Sequence, residues 1–82
     1  MGDTAREQIL EAVAYITSGG QRTFTIAEVI TELEHRGSQL APSTIRTHIA
    51  SRMCANAPNH HGTTYDDFER VGHSEYRWLS RN

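Results

Sequence analysis

Apolar residues recur along this chain with a helical period three times and then change to strand-like alternation. Ile9, Val13 and Ile16 fall at i, i+4 and i+7, with Leu10 and Ala14 widening the stripe, which predicts an amphipathic helix over residues 4–18. Thr4 and Glu7 have the spacing of a capping box, and Gly19 and Gly20 supply the stop. A short β-prone stretch, RTFT, runs into TIAEVITELEHRG, where Thr25 and Glu28 repeat the capping-box spacing. Ile26, Val29, Ile30 and Leu33 form the apolar face of this second helix, and Gly37 ends it. After the link SQLAP, Pro42 suits the first turn of a third helix in which Ile45, Ile49 and Met53 recur every four residues.

The pattern then changes. From Ala55 to Asp67, ANAPNHHGTTYDD has neither period and reads as a loop. In FERVGHSEYRWL, Phe68 and Val71 precede a turn at Gly72, His73 and Ser74, and Tyr76 and Trp78 share one face of a second strand. The order is therefore helix, short strand, helix, turn, helix, hairpin: an α+β chain forming one domain over residues 1–82.

Composition narrows the function classes. Eighty-two residues, 37% of them hydrophobic, leave little interior for an enclosed active site, so no enzymatic activity is expected. No apolar run approaches a membrane span, and MGDTAREQIL has neither a basic leader region nor a cleavage site. With a single cysteine, Cys54, a cytoplasmic location is expected, without membrane attachment.

The formal charge of −2 conceals an asymmetry. Residues 1–40 hold six acids against three arginines, whereas residues 41–82 hold four acids against five arginines and four of the five histidines. Every basic residue is Arg, a planar fork suited to phosphate and guanine, although a genome's base composition produces the same bias.

The third helix, PSTIRTHIASRMC, carries small hydroxyls where surface helices usually carry Glu, Lys and Gln. At about 100° per residue, Thr47 and Ser51 lie within about 20° of the direction opposite the apolar stripe, Thr44 and Cys54 within about 40°, and Ser43 within about 60°. Arg46, His48 and Arg52 flank that ridge. Short hydroxyls permit close approach to base edges while flanking arginines reach phosphates. Helix capping by Ser43 or Thr44, and an ion pair from Arg46 to the second helix, are the alternatives. In the hairpin, Arg70 and Arg77 on facing strands and His73 at the tip would make a basic edge, with cross-strand pairing to Glu69 and Glu75 as the alternative.

Together FTIAEVITELEHRG, STIRTHIASRMC and FERVGHSEYRWL resemble the winged helix-turn-helix DNA-binding modules found alone or attached to bacterial restriction and other DNA-processing enzymes. The resemblance covers nearly the whole chain, including NAP and the Tyr-Asp-Asp-Phe approach to the hairpin. It implies a small winged helix-turn-helix with three helices, a short strand before helix 2 and a C-terminal hairpin wing, placing helix 3 in the major groove and the wing beside the backbone or minor groove. Such modules are commonly basic, and here this chain departs from the pattern.

Two further chemistries fit less well. Asp67 and Glu69 beside Arg70 loosely resemble a metal-dependent nuclease's acidic set, but one hairpin supplies too few supporting strands. Cys54, His60, His61 and His48 offer zinc ligands without the usual spacing, and adjacent histidines rarely turn to one ion, so no metal or cofactor is expected. The reading is double-stranded DNA binding, as a small regulator or the targeting part of a restriction or defence system, with Ser43, Thr44, Arg46, Thr47, His48, Ser51, Arg52, Arg70, His73 and Arg77 as contact residues. The sequence does not choose between a chain that acts alone and one joined to a second copy as a homodimer or to a larger DNA-processing protein, and no small-molecule substrate is expected. The rival is a protein-interaction module that uses the same fold without DNA.

Overall fold

Three helices pack against a three-stranded antiparallel sheet in a computed structural model that describes residues 4–56 and 65–79. Helix α1 (Ala5–Thr17) starts where the Thr4 hydroxyl accepts a hydrogen bond from the Glu7 N–H. Only this forward half of the expected capping box forms. At the start of α2 (Ile26–His35) both halves are present: Glu28 N–H donates to Thr25 Oγ1 and Thr25 N–H donates to the Glu28 carboxylate. The helix ends in a Schellman motif, with Ser38 N–H donating to Leu33 O at 2.9 Å and Gly37 N–H to Glu34 O at 3.0 Å. Gly37 takes φ +78 there, a conformation that L side chains rarely adopt.

The third helix begins as expected, with Pro42 in its first turn, but it does not stay regular. It is α-helical only over α3 (Pro42–Thr47) and continues as a π-helical turn (His48–Arg52), closed by a 2.8 Å bond from Met53 N–H to His48 O, an i→i−5 pairing. The extra residue in that turn rotates everything after it relative to an ideal α-helix.

Strand β1 (Thr23–Thr25) is the stretch expected ahead of α2, and β2 (Phe68–Gly72) with β3 (Glu75–Trp78) is the expected hairpin. The hairpin does not stand alone, because β1 pairs with β3 and the sheet order is β1-β3-β2. The turn differs in detail. Gly72 is the last residue of β2, leaving His73 and Ser74 as the turn, and Ser74 rather than a glycine adopts positive φ, at 62°. Between Arg70 and Gly72 the β2–β3 register shifts, a bulge that leaves Val71 46% exposed.

Ile9, Ala12, Val13, Val29, Leu33, Ile45, Ile49 and Met53 meet Phe24, Phe68 and Tyr76 in one buried core. Phe24 and Phe68 pack edge-to-face with centroids 4.8 Å apart. Ala14, expected on the core stripe, is exposed and Ala12 takes its place. At about 100° per residue Ala12 lies roughly 65° from the Ile9–Val13–Ile16 centre and Ala14 about 130° away. Trp78 anchors the hairpin base to α1 through a 3.1 Å bond from Nε1–H to Thr17 Oγ1. Among the described residues no helix is long and apolar enough to cross a membrane.

Candidate nucleic-acid interface

The turn Arg36–Ala41 swings the third helix onto α1 and α2 through Ile45, Ile49 and Met53, so its opposite side faces outward. Ser43, Arg46, Thr47 and Arg52 are exposed on it, and Thr44, His48 and Ser51 are half-buried. Two of these placements differ from the ideal projection. Ser51, expected near the centre of the outward ridge, is drawn partly inward by the π turn. Cys54, expected within reach of the same ridge, is buried at 1% exposure, because the helix ends at Arg52 and Cys54 instead bridges to Phe68. The outward surface is therefore led by Ser43, Arg46, Thr47 and Arg52.

His48 has a fixed orientation. Its Nδ1 lies 2.9 Å from Thr44 O, and since a carbonyl only accepts, Nδ1 carries the proton and Nε2 is the ring's remaining polar atom. No Asp or Glu occurs between residues 35 and 65, so the third helix has no acid of its own to neutralise its arginines. Arg46 forms no ion pair with α2 or with any other described residue, and neither does Arg52.

The hairpin separates the two arginines expected to act together. Phe68, Arg70, Phe24 and Tyr76 are in cross-strand or alternate register on the sheet face that packs on the helices, whereas Glu69, Arg77, Glu75, Thr23 and Thr25 occupy the reverse face. On that reverse face Arg77 Nε–H donates to Glu69 Oε1 at 2.7 Å, and Thr23 Oγ1–H donates to Glu75 Oε2 at 2.6 Å. Arg77 thus joins the cross-strand pair that was the alternative to a contact role. Arg70 forms no ion pair among the described residues; its Nε–H donates to Gly72 O at 3.1 Å. His73 is exposed at the tip.

Tyr76 lies opposite Arg70 in the β2–β3 register. Burial is the main cause that raises its phenol above the ordinary value, and the neighbouring Cys54 adds to it, while the positive charges of Arg70 and Arg46 pull it back down. Arg46 on the third helix and Arg70 on β2 thus both favour the charged form of this one tyrosine.

Two connections were invisible to pattern reading. Arg6 grips Asp67 with two 2.8 Å hydrogen bonds, from Nε and Nη2, and lies 4.1 Å from the Tyr65 ring centroid. Asp67 chiefly raises the Arg6 guanidinium above its ordinary value through those hydrogen bonds. With Asp67 held by Arg6 and Glu69 by Arg77, both carboxylates of the nuclease-like set are engaged in ion pairs. The second connection is Asn56, whose side chain bonds to the backbone of Arg70. Neither has a periodic signature: one partner set is 61 residues apart and the other 14. Of the zinc candidates, Cys54 donates its thiol to Asn56 Oδ1 at 3.0 Å, whereas His60 and His61 lie outside the described residues, as does Arg81.

The chain belongs to the family described as Domain of unknown function (DUF7669), which it matches over residues 4–78. No curated protein and no solved structure matches it.

Proposed function

We propose that this domain is a winged helix-turn-helix that binds double-stranded DNA, with the third helix in the major groove and the β2–β3 hairpin as the wing. One observation carries the reading. Arg46, Arg52 and Arg70 are exposed without an ion pair among the described residues, on the third helix and on the strand bridged to its end, while Arg6, Arg36 and Arg77 are engaged with Asp67, Glu32 and Glu69; Arg22, ahead of β1, is likewise exposed and unpaired among the described residues. An overall charge of −2 is compatible with this, because binding depends on the charges that reach phosphate rather than on their sum. In this reading Arg46, Arg52 and Arg70 neutralise phosphates, and Ser43 and Thr47 approach base edges. The domain would serve as a small regulator or as the targeting part of a restriction or defence system.

The test is fluorescence anisotropy against a random-sequence duplex pool, followed by sequencing of the bound fraction. Affinity should fall about 10-fold or more between 50 and 200 mM salt if a few phosphates are engaged. Unchanged affinity over that range, or no binding at all, overturns the reading. Thr47→Ala should change preference at one base position by about 1 kcal/mol, and an equal loss on every sequence would remove Thr47 from the base-reading set.

The rival reading, a protein-interaction module, draws on a different surface. Ile16, Ala27, Glu28, Thr31 and Glu32 line a shallow groove between α1 and α2, and Tyr15 is 62% exposed on α1. Salt-insensitive capture of a protein partner, together with no duplex binding, would favour it.

A further inference from the structure

We infer that Asn56 is a positioning residue: its side chain clamps the backbone of Arg70, coupling the end of the third helix to the hairpin so that helix and wing present their arginines as one body. The inference deepens the DNA-binding reading and rests on it for its functional consequence, though not for its geometry.

Strand β2 is an edge of the sheet, and an edge strand offers unpaired N–H and C=O groups. The chain leaving the π turn covers that edge. Phe68 N–H donates to Met53 O at 2.8 Å, and Ala55 N–H donates to Phe68 O at 2.8 Å, so Cys54 lies parallel to Phe68 for one bridge. Two residues further along β2 the main chain no longer supplies the partner, and a side chain does. Asn56 Oδ1 accepts from Arg70 N–H at 3.0 Å, while Asn56 Nδ2–H donates to Arg70 O at 3.2 Å. A primary amide has the donor and acceptor of a peptide group, so Asn56 extends the ladder by one rung. The buried Cys54 thiol donates to the same Oδ1, which holds the amide in the required orientation.

The position of the clamp gives it a consequence. It grips Arg70 where the ladder shifts register, and a bulge bends its strand and re-aims the adjoining side chains. The Arg70 side chain also spans that shift through its Nε–H bond to Gly72 O. Its Nη groups have no hydrogen-bond partner among the described residues. Asn56 is only four residues beyond Arg52, so the clamp ties the wing arginine to the helix that carries Arg46 and Arg52. Without it, the outer edge of β2 at Arg70 would have no partner beside the bulge.

The experiment combines hydrogen exchange with a double-mutant cycle on the full chain. Asn56→Ala should speed amide exchange at Arg70 by at least about 10-fold while leaving the α1 core amides unchanged, because only a local opening has been eased. Affinity for a duplex pool should fall about threefold to tenfold, as for loss of one phosphate contact, and Asn56→Ala should cost nothing further in the Arg70→Ala background. Asn56→Gln, which moves the amide by one methylene, serves if the alanine variant melts. Unchanged protection at Arg70 overturns the clamp. Faster exchange with full affinity, or losses that simply add in the double variant, overturn the positioning role. If the unmodified chain shows no salt-sensitive duplex binding, the DNA reading fails instead, and the exchange data alone decide the clamp.

Discussion

Arg70 and Arg77 leave adjacent strands of one hairpin and end on opposite faces of the sheet. Arg77 lies on the reverse face in register with Glu69 and is bonded to it; Arg70 lies on the helix side, opposite Tyr76, with no acid bonded to it among the described residues. The same division runs through the molecule. Arg6 and Arg36 are tied to Asp67 and Glu32, whereas Arg46 and Arg52 on the third helix, and Arg22 ahead of β1, are not tied to any described acid. An arginine's partner, set by strand register or helix phase, decides whether its charge serves the fold or remains available to a ligand. Net charge cannot make that distinction.

The largest effect expected from this division is on stability. Arg6 joins α1 to the residue before β2 by two charged hydrogen bonds, and the two side chains are 36% and 14% exposed. Arg6→Ala should leave Asp67 half-buried without its cation and cost about 1 to 2 kcal/mol, the charged hydrogen-bond value discounted for solvent screening. Thermal and urea unfolding would measure it. Duplex affinity below the melting range should not change, and a selective loss of affinity would show that the tied and untied arginines do not divide as described.

A smaller effect separates Arg77 from Arg46. The Arg77–Glu69 side chains are 50% and 35% exposed, so Arg77→Ala should cost no more than about 0.5 kcal/mol of stability and leave affinity intact. Arg46→Ala should do the reverse, lowering affinity for all sequences about threefold to fivefold at unchanged stability and making the salt dependence shallower. Equal affinity losses for the two would place the reverse face of the sheet in the interface as well.

The helices, the hairpin and most of the core were legible because each rests on a local period or a local cap. Thr25 with Glu28, Gly37 and Pro42 act within a few residues of themselves, and the structure shows each doing so. The candidate surface was legible less completely. Thr47 and Arg46 are where an ideal helix puts them, but the i→i−5 bond from Met53 to His48 breaks the phase that placed Ser51 outward. Cys54 illustrates the same limit, since a projection continues past the residue where the helix stops. The Arg6–Asp67 and Asn56–Arg70 contacts depend on where distant segments meet, which hydropathy does not encode. Pairing of Arg77 was readable as an alternative, because its choice followed from the β2–β3 register and the bulge that only folding fixes.

The smallest expected effect is also the most direct check on which side of the sheet each arginine occupies. Tyr76 is raised chiefly by burial and held back by Arg70 and Arg46. Its folded value therefore lies above the unfolded value of about 10, so its contribution to stability is complete below about pH 10 and is lost as pH rises through the folded value. Removing a positive charge that favours the tyrosinate should raise Tyr76 further. Arg70→Ala and Arg46→Ala should each shift its titration to higher pH, and Arg77→Ala, on the reverse face, should leave it in place. Carbon NMR of the tyrosine rings, assigned with Tyr76→Phe, would follow the three cases separately from Tyr15 and Tyr65. Were Arg77→Ala to move Tyr76 as far as Arg70→Ala does, the two faces of the hairpin would not be electrostatically distinct, and the grouping of Arg70 with the third helix would lose its basis.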